Sequence, residues 1–430
     1  MNNSPMILNE RDAREAKQNL VLAEIALSAR ENIALAAKGF PSWLIASHQK
    51  VVASYKDRTA TSLQTYNSLK SGDLSTISLS KMDPGVSLIV ARIAKGLSQK
   101  QLAERLGLKE QQIQRYESER YRSISLSNFR RVASLLDVNI TATVQHAHNP
   151  FFLSFNDENS SIDKKTLDKI VHHAEAENWF EVKDKEATSH QVLRYISSAR
   201  DNYGSPALLR TGINSKELAD DISLLAWRAR TLDLAKTVLD SRLPKFNLIN
   251  LDWLRHLVGI SRLEHGPALA SEALKENGII LVIEPQISGL ALDGAAFVVN
   301  DTPVIALTLR HDRIDNFWFT LMHELGHVYL HYYSGLSLGF FDNLDFDDID
   351  QMEIEANNFA STLLIPDESW KISPARISKI AGPAETFAQQ LGIHPAIVFG
   401  RMRKERNNYK IFSDRVGAGQ VRKCFNLQKG

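Results

Sequence analysis

The residues with the clearest chemical potential form the pentapeptide His323–His327, whose sequence HELGH matches the pattern H-E-x-x-H. An α-helix turns about 100° per residue, so His323 and His327 lie on one face and can bind the same Zn²⁺ ion. Glu324 lies beside them and can take a proton from a water molecule activated by the metal. The alternative is a pair of surface histidines, but the apolar flanks at 317–322 and 328–330 indicate a buried helix, in which histidines need partners. The pattern therefore predicts a zinc site with Glu324 as the catalytic base.

A catalytic zinc usually keeps three protein ligands and one open position, so a third ligand is expected elsewhere in the chain. A helix predicted at 353–364 has a stripe of residues, mostly small, that would let it press against the first ligand helix. That stripe consists of Glu353, Ala356, Asn357 and Ala360. We expect Glu353 to be the third ligand, and Glu355 is its rival. The alternative places both carboxylates on a solvated acidic face.

Two further residues of the H-E-x-x-H helix have expected roles. Gly326 costs about 1 kcal/mol of helix propensity relative to alanine, so we expect another segment to approach closely there. His331 continues the histidine stripe by one turn and is expected to be a rim residue or a donor to the transition state. The metzincin pattern is excluded, because it requires glycine and histidine where this chain has Leu330 and Tyr333.

A second pattern, over residues 86–140, is typical of the helix-turn-helix, whose second helix enters the major groove of DNA. Ser98 is a natural N-cap for the first helix, and Gly107 suits the sharp turn after it. Gln99 is expected to contact a phosphate. The second helix carries further polar side chains that can reach bases or phosphates, namely Lys109, Gln111, Gln112 and Arg115. The alternative is a plain helical bundle with a solvated polar face.

The charge of the chain is unevenly distributed. The net charge is +1, but residues 86–140 contain ten Lys and Arg against five Asp and Glu, and residues 401–430 contain nine against two. Local positive charge attracts phosphate backbones, which favours DNA as a partner. Within the first segment, Arg92 and Glu117 are expected to form a structural ion pair and not to contact DNA.

The composition excludes several classes of protein. The chain has 430 residues, 43% of them hydrophobic and 23% charged, which is ordinary for a globular protein of roughly two to four domains. The single cysteine, Cys424, excludes a disulfide scaffold and a multi-cysteine zinc site and suits a reducing cytoplasm. There is no signal-peptide pattern and no apolar run approaching the ~20 residues of a membrane span. We therefore expect a cytoplasmic protein with no membrane partner.

The predicted fold class is mainly α with a small antiparallel β-sheet (α+β), combining a helix-turn-helix bundle with a metallopeptidase domain. The three short strands are predicted at 278–283, 294–299 and 303–307. Four domains or regions are predicted: an N-terminal helical pair at 1–75, the helix-turn-helix domain at 80–145, a helical region at 165–276, and the metallopeptidase domain with its basic tail at 277–430. A polar, irregular linker is predicted near 146–164.

Two family resemblances rest on these motifs. Residues 86–140 resemble the Xre/Cro-type helix-turn-helix through Leu97-Ser98-Gln99, Leu102-Ala103, Leu106-Gly107, Ile113 and Tyr116-Glu117. Residues from about 227 to 425 are similar to the ImmA/IrrE family of zinc metallopeptidases, through 292–296, 315–320, His323–His327, 353–360 and 363–366. The second resemblance implies gluzincin-type zinc ligation and a regulator that cleaves a repressor or acts like an antitoxin.

Two functions of different classes are compatible with these features. The leading hypothesis is a DNA-binding transcriptional regulator with a zinc endopeptidase domain that cleaves a repressor or antitoxin-type protein. The alternative is an antitoxin or repressor whose peptidase-like domain binds a partner or senses metal without turnover. The partners expected are an operator in double-stranded DNA, a protein substrate and a second copy of the chain in a homodimer. The strand at 295–299 is a candidate edge for an extended substrate, or else part of the sheet interior.

Overall fold

The computed structural model describes residues 6–73, 82–139, 164–180, 188–196, 222–239, 243–336 and 346–426. Within these ranges no helix is both long and apolar enough to span a lipid bilayer. The chain divides into two compact units, Met1–Ser28 with Val52–Phe152 and Ala29–Val51 with Leu153–Gly430. The predicted linker near 146–164 lies almost entirely outside the described residues.

The predicted N-terminal helical pair consists of three helices, α1 (Glu10–Ala26), α2 (Ala29–Ala37) and α3 (Ser42–Lys70). The first helix of the predicted pair, expected from about residue 9 to residue 38, is interrupted because the N–H of Ser28 bonds the carbonyl of Ile25, an i→i+3 bond that ends the α-helical ladder. The interruption coincides with the boundary between the units, so α1 packs in the first unit while α2 belongs to the second.

The first unit contains the helix-turn-helix. Its further helices are α4 (Pro84–Ala94), α5 (Gln99–Leu106), α6 (Glu110–Ser118) and α7 (Leu126–Leu135). Ser98 and Gln101 form a reciprocal capping box at the start of α5. Gly107 ends α5 in the left-handed region at φ +68°, a conformation that glycine adopts at little cost. Leu102, Ala103, Leu106 and Ile113 are buried between the helices. The predicted helix-turn-helix is confirmed.

A buried ion pair joins α4 to α6, as the sequence predicts. Arg92 donates to the Glu117 carboxylate from Nε at 2.6 Å and from Nη2 at 2.9 Å. Its Nη1 donates to the carbonyl of Leu97 at 2.7 Å. Because both side chains are buried and these hydrogen bonds satisfy them, removing one partner leaves the other charge without compensation.

We expect Arg92→Ala to destabilise the first unit by about 3–5 kcal/mol, since it strands the Glu117 carboxylate in the core. The matched control is Lys95→Ala, which removes a cation from an exposed pair with Asp137 and should cost at most ~1 kcal/mol. Amide hydrogen exchange over residues 84–118 of the full chain measures both changes. Equal protection in the two variants would contradict a stabilising role for the buried pair.

The second unit combines helices with one small sheet. Its helices beyond the N-terminal segment are α8 (Lys164–Ala176), α9 (188–196), α10 (Ile222–Leu239), α11 (Trp253–Ile260), α12 (Gly266–Glu276), α13 (Ile314–Leu330), α14 (Phe346–Leu364), α15 (Asp367–Ile372), α16 (Gly382–Leu391), α17 (Pro395–Glu405) and α18 (Val421–Cys424). The strands are β1 (Ile280–Ile283), β2 (Gly294–Val299) and β3 (Thr302–Leu307).

The sheet is mixed, which corrects the predicted all-antiparallel arrangement. β2 and β3 form an antiparallel hairpin, whereas β1 pairs in parallel with β3, in the order β1-β3-β2. A turn at Asn300 and Asp301, both with positive φ, closes the hairpin. The ten residues between β1 and β2 are long enough to carry the chain past the central position, which β3 then fills. The strand runs themselves lie where the sequence predicts them.

The two faces of the sheet pack against different helices. Alternate side chains of the strands, including Ile280, Phe297 and Val304, share a core with residues of α8 and α10. Helix α13 packs against β2 and β3, and the buried residues Ala296 and Ile305, which alternate with the first set, therefore face it. The sheet thus holds α13, which carries the H-E-x-x-H residues and is buried along most of its length.

Candidate metal centre and DNA-binding surface

Helices α13 and α14 bring together His323, His327 and Glu353, called here the metal cluster. The two Nε2 atoms of the histidines lie 3.1 Å apart. One Glu353 oxygen lies 3.3 Å from His323 Nε2 and the other 3.3 Å from His327 Nε2. Tetrahedral ligands at about 2.0–2.2 Å from Zn²⁺ are separated by roughly 3.3 Å from one another, so the spacing of these atoms suits one zinc ion.

Helices α13 and α14 approach closely because the residues at their crossing are small. A Cβ built on Gly326 would lie 3.0 Å from Ala356 Cα and 3.2 Å from Phe359 Cβ. Ala356 and Ala360 are fully buried beneath α13. This confirms the expectation that another segment approaches at Gly326, and it explains how Glu353, one turn before Ala356, reaches the histidines.

The protonation states of the metal cluster favour a bound cation. Burial lowers the pKa of His327 to about 4. Burial alone would raise the pKa of Glu353, but hydrogen bonds from His323 and His327 outweigh it and bring that pKa to about 2. In the described part of the chain no lysine or arginine forms an ion pair with Glu353. Imidazole nitrogens and an ionised carboxylate around one volume are a donor set that fits Zn²⁺.

Glu324 is buried beside the metal cluster, with 2% of its surface exposed. Burial raises its pKa well above the ordinary value, and repulsion from Glu353 and Asp293 adds to the effect. A Cβ on Gly294 would lie 2.9 Å from Glu324 Oε1, so glycine at the start of β2 leaves room for the carboxyl group. A carboxyl whose pKa is raised towards neutrality can hold and return a proton during a reaction.

His331 and Glu355 lie behind the metal cluster. His331 Nδ1 is 3.0 Å from His327 Nδ1, and His331 Nε2 is 3.1 Å from Glu355 Oε2. Histidine ligands commonly use the second ring nitrogen in this way, which fixes the ring and its tautomer. The structure thus places Glu353 within the metal cluster and its rival Glu355 one contact further out. The sequence signals available for this contact were the four-residue spacing of His331 from His327 and the acidic pair on α14.

A cavity of about 560 Å³ opens onto the metal cluster. It is lined by His323 and Glu353, by Phe319 of α13, and by Arg401 and Lys404 of α17. Among the described strands β2 pairs only with β3, so it lies at one edge of the sheet. His323 and Glu353 of the metal cluster therefore lie at the wall of a cavity large enough for several side chains of a peptide.

The predicted DNA-contacting residues fall into two groups. Lys109, Gln111 and Arg115 are exposed on α6 or at its N-cap. Gln112 is half-buried, and its Oε1 accepts a hydrogen bond from the Lys109 N–H at 3.0 Å, which caps α6. Gln99 is also half-buried, and its Nε2 donates to Glu117 at 2.7 Å. The first group can meet a ligand directly, whereas the second group also supports the domain.

Comparisons with known proteins identify two segments of this chain. Residues 278–397 match the model of the IrrE N-terminal-like domain, and residues 88–142 match a helix-turn-helix model. No curated protein and no solved structure gave a significant match. The matched segments contain the metal cluster and helices α5 and α6, so both family resemblances predicted from the sequence are confirmed.

Proposed function

We propose that this chain, which joins an Xre-type helix-turn-helix domain to an IrrE-like metallopeptidase-type domain, is a transcriptional regulator with a zinc-dependent endopeptidase activity. Its target is proposed to be a repressor or an antitoxin-type protein. The observation that carries the proposal is the arrangement of His323, His327 and Glu353 around one volume, with Glu324 buried beside them. A domain that only bound a partner would not need a buried base next to a metal site.

The mechanism assigns one task to each residue. His323, His327 and Glu353 would hold the zinc ion. When bound, zinc supplies Lewis acidity that polarises the scissile carbonyl and lowers the pKa of a water molecule. Glu324 accepts the proton of the attacking water and returns it to the leaving amine. Its raised pKa suits both steps, because the carboxyl group must carry the proton between them.

The outer edge of β2, where no other described strand pairs, is the proposed position for the substrate backbone. An extended peptide that pairs with 295–299 would add a strand to the sheet. Because Gly294 lies against Glu324, a peptide paired there would have its backbone beside the catalytic base. This arrangement selects an unfolded or extended segment of the target, such as a linker between domains.

The proposed function is tested by following fragmentation. Purified full-length protein loaded with zinc is incubated alone and with repressors, antitoxins and toxins encoded beside it, with and without operator DNA. We expect one target to be cleaved at a defined bond, and a chelator to prevent the cleavage. Self-cleavage of this chain near residues 146–164 is one expected outcome. If every candidate stays intact while zinc is bound, the enzyme is ruled out in favour of a partner-binding or metal-sensing domain.

We expect α6 to determine the DNA sequence preference. Gln111→Ala and Arg115→Ala should each cost about 1–3 kcal/mol on the preferred operator and relax its sequence preference. Gln99→Ala should weaken binding to all sequences alike, as loss of a phosphate contact does. Gln64→Ala, the same chemical change at an exposed position of α3, is the control. Mobility shifts of operator and scrambled DNA measure these effects, and unchanged preference in both α6 variants would place the reading surface elsewhere.

A further inference from the structure

The cavity beside the metal cluster is lined by three acidic side chains and four lysine or arginine side chains. The acidic side chains that line it, Asp293, Asp315 and Glu353, all have partners, and Glu353 belongs to the metal cluster. The lining arginines are also paired, as Arg310 with Asp293 at 3.1 Å, Arg313 with Asp315 at 2.9 Å and Arg401 with Asp367 at 2.6 Å. These pairs neutralise most of the charge within the cavity.

Lys404 is the exception among the cationic groups of the lining. It lies in the last turn of α17, and its ammonium group is 4.4 Å from the centre of the Phe319 ring. In the described part of the chain its electrostatic neighbour is Arg401, another cation, and no carboxylate forms an ion pair with it. Lys404 is exposed to solvent, and partial desolvation by the surrounding atoms lowers its pKa. The cavity therefore has a cation at its wall that no carboxylate of the described residues pairs with.

Phe319 lies between Lys404 and His323 of the metal cluster. Phe319 is one turn before His323, and the two ring centres are 6.4 Å apart. Lys404, His323 and Glu353 all line the same cavity. Since an extended peptide advances about 3.3 Å per residue, Lys404 can reach a group that lies one to three residues from the scissile bond.

We propose that Lys404 forms a carboxylate-binding subsite that selects substrates with an acidic group close to the scissile bond. An ammonium group has three donors and no acceptor, and an ionised carboxylate satisfies both its charge and its donors. The carboxylate comes from an aspartate or glutamate side chain or from a free C-terminus, and both present the same chemistry. The cleavage part of this inference rests on the proposed function, whereas the binding part does not.

A purely structural role for Lys404 makes different predictions. A lysine in the last turn of a helix also stabilises the helix dipole, and its aliphatic stem packs on an aromatic ring. Lys404→Met keeps the stem and removes the charge, whereas Lys404→Arg keeps the charge. The matched control is Lys371→Met, which removes an exposed lysine outside the cavity.

The test measures peptide binding by the zinc-loaded full chain carrying Glu324→Gln, so that bound peptides are not consumed. The probes are fluorescent octapeptide pools with a single fixed Glu, Gln or Lys, each made with a free and with an amidated C-terminus. We expect the amidated Glu pool to bind about tenfold more tightly than the Gln pool, as loss of one charge-assisted hydrogen bond implies. Lys404→Met should remove this preference, Lys404→Arg and Lys371→Met should keep it, and Lys404→Glu should favour the Lys pool.

The outcomes separate the two proposals. A preference confined to free C-termini and lost in Lys404→Met also supports the subsite and assigns it to a terminal carboxylate. Equal binding of the amidated Glu and Gln pools together with no gain from a free C-terminus, no measurable binding, or a preference that survives Lys404→Met would each overturn the subsite. Cleavage is measured separately, by mass spectrometry of the Glu pool after incubation with the zinc-loaded protein that lacks the Glu324→Gln substitution. Absence of cleavage together with a Lys404-dependent preference would contradict the proposed enzyme and leave the subsite standing.

Discussion

Glu324→Gln is expected to leave the zinc content unchanged and to lower peptide hydrolysis by about 10²- to 10⁴-fold, the range that general acid–base catalysis contributes. Glutamine has nearly the same shape as glutamate, so it fits the buried space against Gly294. It cannot accept and return a proton. Glu324 does not belong to the metal cluster, so the loss should be in turnover and not in metal binding.

The measurement for Glu324→Gln pairs zinc analysis of the dialysed protein with turnover of a peptide that the unchanged chain cleaves. Glu368→Gln is the matched control, because this glutamate is exposed on α15 and the substitution is chemically identical. We expect the control to keep both zinc and activity. A Glu324→Gln protein that keeps its activity would remove Glu324 from the mechanism, and one that loses zinc would make it a ligand.

Glu353→Ala is expected to abolish stable zinc binding, whereas Glu355→Ala should weaken it by about 10- to 100-fold. The first change removes a carboxylate whose two oxygens lie 3.3 Å from the Nε2 atoms of His323 and His327 respectively. The second removes only the partner of His331, which acts on the metal through His327, and outer contacts of this kind typically have effects of that size. The two variants remove the same functional group from positions two residues apart on one helix.

Zinc titration against a competing chelator measures this difference directly and needs no substrate. The result is therefore independent of whether the chain is an active peptidase. A zinc site that is emptied by Glu355→Ala and retained in Glu353→Ala would reverse the assignment of the third ligand. Equal, small effects would indicate that neither carboxylate is a ligand and that the histidines bind metal with other donors.

The resemblances and the local elements could be predicted from the sequence because their signals are local. The four-residue spacing of His323 and His327 places both on one helix face whatever surrounds the helix. The apolar flanks predicted that this helix is buried, and Gly326 predicted the close approach that its contact with Ala356 shows. Ser98 and Gly107 marked the limits of α5 because caps depend on neighbouring backbone groups alone.

Contacts between distant segments were decided by the tertiary structure. Both Glu353 and Glu355 were open candidates, because a sequence does not state how α14 is rotated against α13; packing of Ala356 on Gly326 places Glu353 in the metal cluster. The parallel pairing of β1 with β3 was missed for the same reason, since alternation along a strand does not identify its partner.

The residues around the metal cluster likewise depend on tertiary packing for their contacts. In the sequence, Lys404 is one of many positive charges in a basic tail, and the cavity that isolates it exists only when α17 packs beside α13. His331 gained its contact with Glu355 in the same way. The sequence by itself determined which chemical groups are present and which share a helix face. Tertiary packing decided which of them meet, because burial and pairing are properties of the whole fold.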